Sequence, residues 1–384
     1  MEVRGIFGMK VLQIITRLDL GGSSRIFLDF VNILKDAGFE VFAVSGKTKE
    51  EDLKEAKKRL KNVKFFYLPY LVRDINLIKD FLAFIKIFFL LRKLKPDILH
   101  LHSSKAGFVG RIAGFFSGCK KIIYMPHGHV FKGYFSKFKS NLFLFLERIV
   151  FPLTTKIISL TRMEIEEWKE FGFDEEKFFV IHNGIRIDEY EKRGIEKEEA
   201  RKKLNLLLDK KIILCIARLE DVKGVDILLK SISLIKERDD FLLLIVGDGS
   251  MKKELKDFVE RGQLKDKVIF LGERKDIPEI ISCCDFLVLP SRMEGFGISI
   301  LEGYVFSKPV VATKVGGIPE IVVDERTGLL FEVENFYELS QKICYLLDNP
   351  EKIIEMGKNG RRYLEENFSF DKMKETLLKL YKEI

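Results

Sequence analysis

Two glutamates, Glu294 and Glu302, stand with seven residues between them in the segment PSRMEGFGISILE at 290–302, where Gly295 and Gly297 flank Phe296. The segment follows an apolar run at 286–289 that reads as a strand, and it opens a run that reads as a helix. A helix start leaves backbone N–H groups without intrahelical partners, so the stretch Gly295, Phe296, Gly297 and Ile298 suits a phosphate. A carboxylate beside a phosphate repels it, so the two glutamates need another partner, and sugar hydroxyls meet that demand. Arg218 and Lys223 stand five apart in the loop between the strand at 211–217 and the helix near Gly224. They can converge on one anion, the guanidinium as a fork and the ammonium as a point charge. Solvated surface charge is the blander reading of that pair. Gly247-Asp248-Gly249 ends the strand at 241–246 and reads as a second loop of close approach.

In the first half, Gly21 and Gly22 lie between a strand at 10–16 and an amphipathic helix at 25–35. The pair reads as a phosphate or sugar loop, or as a tight strand-to-helix turn. It is not the dinucleotide fingerprint, because the third glycine is missing and no acidic residue clearly ends the next strand. Pro126-His127-Gly128-His129 follows the strand at 121–125, which sets a histidine where it can touch a ligand or titrate; packing or a turn is the alternative for one of the two. A zinc reading of His127 and His129 is weak: His100, His102 and His182 lie elsewhere, and no carboxylate or thiol neighbours the pair.

The elements that must position these residues alternate from end to end. Strands are expected at 10–16, 40–45, 63–68, 97–102, 121–125, 156–160 and 178–181, then at 211–217, 241–246, 268–271, 286–289, 309–312 and 328–331, with helical patterns between them. This is α/β, with two doubly wound parallel sheets in tandem, domains at 1–185 and 186–384, and a turn-rich linker at 182–193. Ligands of such sheets sit beyond the carboxyl ends of the strands, here in a deep cleft that the two domains face.

The 384 residues carry a net charge of +8, but residues 1–185 hold +11 and residues 186–384 hold −3. The first half therefore meets something anionic: nucleic acid, a membrane surface or a phosphorylated substrate. Two stretches, 75–95 and 131–156, interleave aromatic and basic residues and can lie on an anionic bilayer, or serve as core helices with a basic face. They are apolar-rich and carry no recognition motif, which argues against nucleic acid. The most apolar run, 81–91, is broken by Lys86 and is about half the ~20 residues a spanning helix needs. Five scattered cysteines without metal spacing, and no apolar leader with a cleavage site, point to a cytoplasmic chain, and the two basic, aromatic stretches point to one peripheral on the inner face of the plasma membrane.

These motifs, together with Val315-Gly316-Gly317-Ile318-Pro319-Glu320, stand in the order found in a known family. The chain resembles the retaining nucleotide-sugar glycosyltransferases of the GT-B fold, family 4, which includes polysaccharide and lipopolysaccharide assembly enzymes. The resemblance implies two Rossmann-like domains, the second binding the donor and the first the acceptor, with the last helix packing back on the first. It implies that Arg218 and Lys223 bind the donor diphosphate, that Glu294 holds the transferred sugar and Glu302 the ribose, and that the backbone from Gly295 to Ile298 supports the diphosphate. His127 would contact the donor sugar, with Gly21 and Gly22 on the acceptor side. The implied donor is a UDP-, GDP- or ADP-sugar, and the acceptor is a glycan or a polyprenyl-diphosphate-linked sugar. No cofactor or metal is implied, and the expected place holds no Asp-x-Asp motif. The alternatives are a sugar-nucleotide epimerase of the same fold and a catalytically silent partner in an assembly complex.

Overall fold

Each apolar run expected to be a strand is one, with ends that move by at most a residue or so. The computed structural model describes residues 8–19, 22–60, 62–128, 137–206 and 209–384. The first sheet contains β1 (Lys10–Ile15), β2 (Glu40–Ser45), β3 (Lys64–Tyr67), β4 (Ile98–His102), β5 (Lys121–Met125), β6 (Lys156–Ser159) and β7 (Phe178–Val180). Its seven strands are all parallel, in the order β3-β2-β1-β4-β5-β6-β7. The second contains β8 (Lys211–Ile216), β9 (Phe241–Val246), β10 (Val268–Gly272), β11 (Phe286–Leu289), β12 (Val310–Thr313) and β13 (Gly328–Phe331), six parallel strands in the order β10-β9-β8-β11-β12-β13. Helices cover both faces of such sheets, so central strands are apolar throughout rather than alternating; every residue of β9, FLLLIV, is buried. Strand order reverses once in each sheet, between β1 and β4 and between β8 and β11.

The chain forms two units, Met1–His182 with Met373–Ile384, and Asn183–Lys372. The closing helix, Phe370–Glu383, buries Leu377, Leu380 and Tyr381, and the Tyr381 hydroxyl lies 2.8 Å from His100 Nδ1 in the first unit. Two expectations change. The stretch 182–193 is not a plain linker. It contains the helix Ile187–Glu191, and the Ile185 N–H donates to the Phe368 carbonyl while the Phe370 N–H donates to the Ile185 carbonyl. The Arg186 guanidinium lies 3.4 Å from the centre of the Phe370 ring. The turn-forming residues there are held by a segment almost two hundred positions away, which no local signal records. The helix expected at 25–35 is Gly22–Asp36, so Gly22 is its first residue and not part of a preceding loop. First-turn N–H groups have no intrahelical partner to lose, so glycine is tolerated there. Gly21 lies outside the described residues.

One ion pair is built into the first core. Arg111, on the helix Ser104–Ser117, is fully buried; it grips Glu147 of the helix Lys137–Val150 through both guanidinium nitrogens, with Nη2 2.7 Å from Oε2. Its Nε donates to the Gly107 carbonyl at 2.9 Å, and its plane lies over the Tyr124 ring at 4.1 Å. Replacing Arg111 by Met leaves Glu147 as a buried charge without its partner and should destabilise the first unit by about 3–5 kcal/mol. Urea unfolding measures this, and the double variant Arg111→Met, Glu147→Leu should recover most of the loss, because an apolar pair of similar volume leaves no charge stranded.

Candidate functional site

In the second unit, the loops that carry chemistry leave the carboxyl ends of β8, β9, β11 and β12, around the point where strand order reverses. Close backbone contacts lock these loops together. At Gly247 (φ +138°) a Cβ would lie 1.9 Å from the Ala217 carbonyl oxygen, and at Gly316 (φ +50°) one would lie 1.9 Å from the Glu294 carbonyl oxygen. Only glycine allows either approach. The Gly317 N–H donates to the same Glu294 carbonyl at 3.3 Å, and the Arg292 N–H donates to the Val222 carbonyl at 3.0 Å. Arg292 adds a fork onto Asp226, at 2.7 and 2.8 Å, and a bond to the Asp221 carbonyl at 2.7 Å.

Lys223 and Glu294 come together: Nζ lies 2.7 Å from Oε2, with both side chains mostly covered, and Ser291 Oγ donates to the same oxygen at 3.3 Å. Arg218 does not join them. Its guanidinium is exposed and meets Glu220 at 2.7 Å. An exposed pair of that kind is worth about 0–1 kcal/mol, so Arg218 can be redirected to an anion at little cost. Asp248 is exposed and pairs with Lys252 at 2.5 Å while accepting from the Gly249 N–H at 2.8 Å. Gly295 is exposed with open space at its Cβ position, and Gly297 (φ +73°) caps the helix Ile298–Val305. The Phe296 side chain turns inward: it is buried, its ring 5.9 Å from that of Phe368, so only its backbone can serve a ligand. Glu302 Oε1 accepts from the Tyr190 hydroxyl at 2.5 Å. Ser291, Arg292 and Tyr190 escape a sequence reading; Ser291 and Arg292 sit inside the right segment, whereas Tyr190 gives no signal.

In the first unit, His127 follows β5 with φ +58°. Its Nε2 lies 3.0 Å from Nδ1 of His102, whose Nε2 lies 3.0 Å from Gln13 Oε1. The expectation that the other histidines lie elsewhere is thus corrected, and the relevant signal is legible in hindsight. Residues two apart on a strand share a face, so His100 and His102 of β4 fall together, their rings stacked 4.2 Å apart, with β1 beside them. His129 lies outside the described residues. Burial pushes His100 down to about 3 and His127 down to about 4; His102 is held well below the usual histidine range by burial first and by the neighbouring imidazoles next. Among the described residues, no group of three or more His, Cys, Asp or Glu side chains is arranged to hold a metal ion.

The family model for group 1 glycosyl transferases matches residues 196–363, and that for glycosyltransferase family 4 matches residues 20–189. The chain is 31% identical over 326 residues to UDP-Gal:alpha-D-GlcNAc-diphosphoundecaprenol alpha-1,3-galactosyltransferase of Escherichia coli, covering 83% of this chain and 84% of that one. It belongs to the family 4 glycosyltransferases. A second relative, N,N'-diacetylbacillosaminyl-diphospho-undecaprenol alpha-1,3-N-acetylgalactosaminyltransferase of Campylobacter jejuni, is 32% identical over 232 residues, 58% of this chain and 60% of that one. The crystal structure of Anabaena Alr3699/HepE in complex with UDP matches with a TM-score of 0.82 at 22% identity, over 98% of this chain and all of that one, which shows the GT-B fold.

The neutral histidines of this glycosyltransferase carry a pH signature. In the unfolded chain a histidine takes up its proton near pH 6.5, whereas His100 in the fold stays neutral to about 3. Below pH 6.5 the unfolded chain binds more protons, so stability falls as pH drops towards the folded value, by up to about 1.4 kcal/mol per pH unit for each such histidine. His100→Gln should flatten that fall between about pH 6.5 and pH 5, as read from urea melts of both proteins.

Proposed function

We propose that this glycosyltransferase moves a hexose from a UDP-sugar to a hydroxyl of a polyprenyl-diphosphate-linked sugar, with retention of configuration and without a metal ion, in the assembly of a cell-surface polysaccharide. The observation that carries the reading is the set of groups at the carboxyl ends of β8 and β11: Arg218, Lys223, Glu294 and the start of the helix Ile298–Val305. The galactosyltransferase of Escherichia coli, by its name, uses UDP-Gal and a diphosphoundecaprenol-linked acceptor, and this supports the donor and acceptor classes.

In the free protein Glu294 neutralises Lys223. An incoming diphosphate draws the ammonium to itself, which frees the carboxylate to accept from sugar hydroxyls, so one pair serves both ends of the donor. Arg218 leaves its weak contact with Glu220 for the same diphosphate. As the bond from the anomeric carbon to the diphosphate oxygen breaks, negative charge grows on that oxygen, and the two cations stabilise it where a divalent ion otherwise would. The acceptor hydroxyl attacks from the face the diphosphate leaves, and its proton passes to the departing diphosphate. Glu302 and the backbone from Gly295 to Ile298 hold the nucleotide, Gly247, Asp248 and Gly249 border it, and His127 meets the transferred sugar.

We place the first unit on the cytoplasmic face of the membrane. The helix Leu77–Leu94 buries only Ala83, Ile87 and Leu91 and leaves Leu77, Ile78, Phe81 and Phe89 exposed beside Lys79, Lys86, Arg92 and Lys93. Phe84 meets Phe116, which extends the apolar surface to the end of the helix Ser104–Ser117, and the helix Lys137–Val150 exposes Phe138 and Phe145. No helix among the described residues is long and apolar enough to cross a membrane. The part of the basic stretch at 131–136 lies outside the described residues.

Arg218→Ala should lower kcat for transfer from a UDP-hexose by about 10²–10³, with a smaller change in KM; a near-normal rate overturns the assignment. Sedimentation with anionic vesicles at about 0.15 M salt should pull down the protein, and Phe81→Ser with Lys86→Glu should weaken that binding, each basic residue near the surface contributing about 1 kcal/mol.

A further inference from the structure

The three side chains Gln13, His102 and His127 form one hydrogen-bonded line that starts in the sheet and ends at a strand terminus. Gln13 lies on β1 and His102 on β4, the two strands between which the order of the first sheet reverses, and both are fully buried. A neutral imidazole has one N–H and one bare nitrogen, so each bond in such a line dictates the next. Gln13 Oε1 can only accept. His102 Nε2, 3.0 Å away, must therefore donate, and this leaves His102 Nδ1 bare. A bare Nδ1 can only accept, so His127 Nε2, 3.0 Å from it, must donate in turn. The outer nitrogen of His127, Nδ1, is then left as an acceptor. Nothing among the described residues bonds to it.

The surroundings keep this line neutral and rigid. Phe27 packs edge-on against the His102 ring with centroids 5.1 Å apart, Phe30 lies 6.0 Å from it, and His100 and His127 stack on its two sides at 4.2 and 5.3 Å. Packing among four other rings favours the one orientation in which Nε2 faces Gln13 and Nδ1 faces His127. Two buried atoms, Gln13 Nε2 and His100 Nε2, have no hydrogen-bond partner among the described residues. Stranding buried polar atoms costs free energy, and a core with no task for these groups would be filled by apolar side chains instead.

We infer that Gln13 and His102 are positioning residues that hold His127 in its Nε2-protonated tautomer, so that its Nδ1 accepts a hydrogen bond from a hydroxyl of the bound sugar. The hydroxyl partner rests on the role proposed for His127 above; the fixed tautomer does not. A nitrogen offered as an acceptor favours a hydroxyl and disfavours a phosphate or carboxylate oxygen, which would meet it lone pair to lone pair. His127 in this state discriminates a neutral polyol from an anionic group.

The test reads the tautomer directly. The chain has five histidines, so ¹⁵N spectra of the ring nitrogens of the full-length, ligand-free protein can be assigned by single substitutions. At neutral pH the wild-type spectrum should show His127 in one tautomer, with the proton on Nε2 and Nδ1 bare. A proton on Nδ1, or a mixture, overturns the inference whatever the enzyme's substrates are. Gln13→Leu should convert the single state to a mixture and lower kcat about ten-fold, the value of one hydrogen bond, with KM little changed; a Gln13→Leu protein that melts like wild type and keeps the single tautomer also overturns it. If Gln13→Leu fails to fold, His102→Phe keeps an aromatic ring in the cage while removing both nitrogens, and should give the same mixture. A single tautomer in wild type, together with an undiminished rate in His127→Ala, would uphold the positioning line and retire only the sugar contact.

Discussion

Where two neighbouring parallel strands send their following helices to opposite faces, no backbone roofs the gap at their carboxyl ends. Each sheet has one such place, between β1 and β4 and between β8 and β11. The candidate residues of each unit are arranged around its gap. In the second unit the loops after β8 and β11 present Arg218, Lys223 and Glu294; in the first, β1 and β4 carry Gln13 and His102, and His127 follows the adjoining β5. The gap is a consequence of topology, so the same backbone plan hosts a cationic site in one unit and a neutral histidine line in the other.

The two sites solve the problem of holding polar groups in different ways. The second unit uses backbone contact and charge. Gly247 and Gly316 let carbonyl groups approach within a distance no side chain permits, and Arg292 clamps its own loop onto the loop after β8. Lys223 and Glu294 satisfy one another. The first unit uses packing. Its histidines are kept neutral by burial and oriented by aromatic rings, and burial is what pushes their protonation far below neutral pH. A charge pair can be reassigned when an anion arrives, whereas a caged ring keeps its state.

Net charge is a poor guide to where groups suited to an anion sit. The half with an excess of acidic residues carries the groups suited to a diphosphate, because a few placed cations and a helix start outweigh a diffuse surface balance within about a Debye length. The surplus of the first half lies instead on helices such as Leu77–Leu94, which the fold needs on one face only. An apolar stripe at Ala83, Ile87 and Leu91, with Phe84 and Phe88 packed beside it, satisfies the core, and Phe81 and Phe89 are left exposed.

Much of this was legible in the residues themselves. The apolar runs set the strands, because a strand buried on both faces must be apolar along its length, and the loops between them located Arg218, Lys223 and Glu294, with Glu302 in the helix that follows. These are local properties, carried by a few consecutive side chains. The sequence also determined membership of the family, since its motifs keep their order along the chain. What only the tertiary structure decided is who meets whom. Nothing local joins Tyr190 to Glu302, Ile185 to Phe368, or Gln13 to His102 and His127. Phe296, inside the most legible motif, turned out to pack inward while Gly295 before it is exposed. Those outcomes depend on which strands become neighbours and on where side chains find room, and both are settled by burial of the whole chain at once, not by any one segment of it.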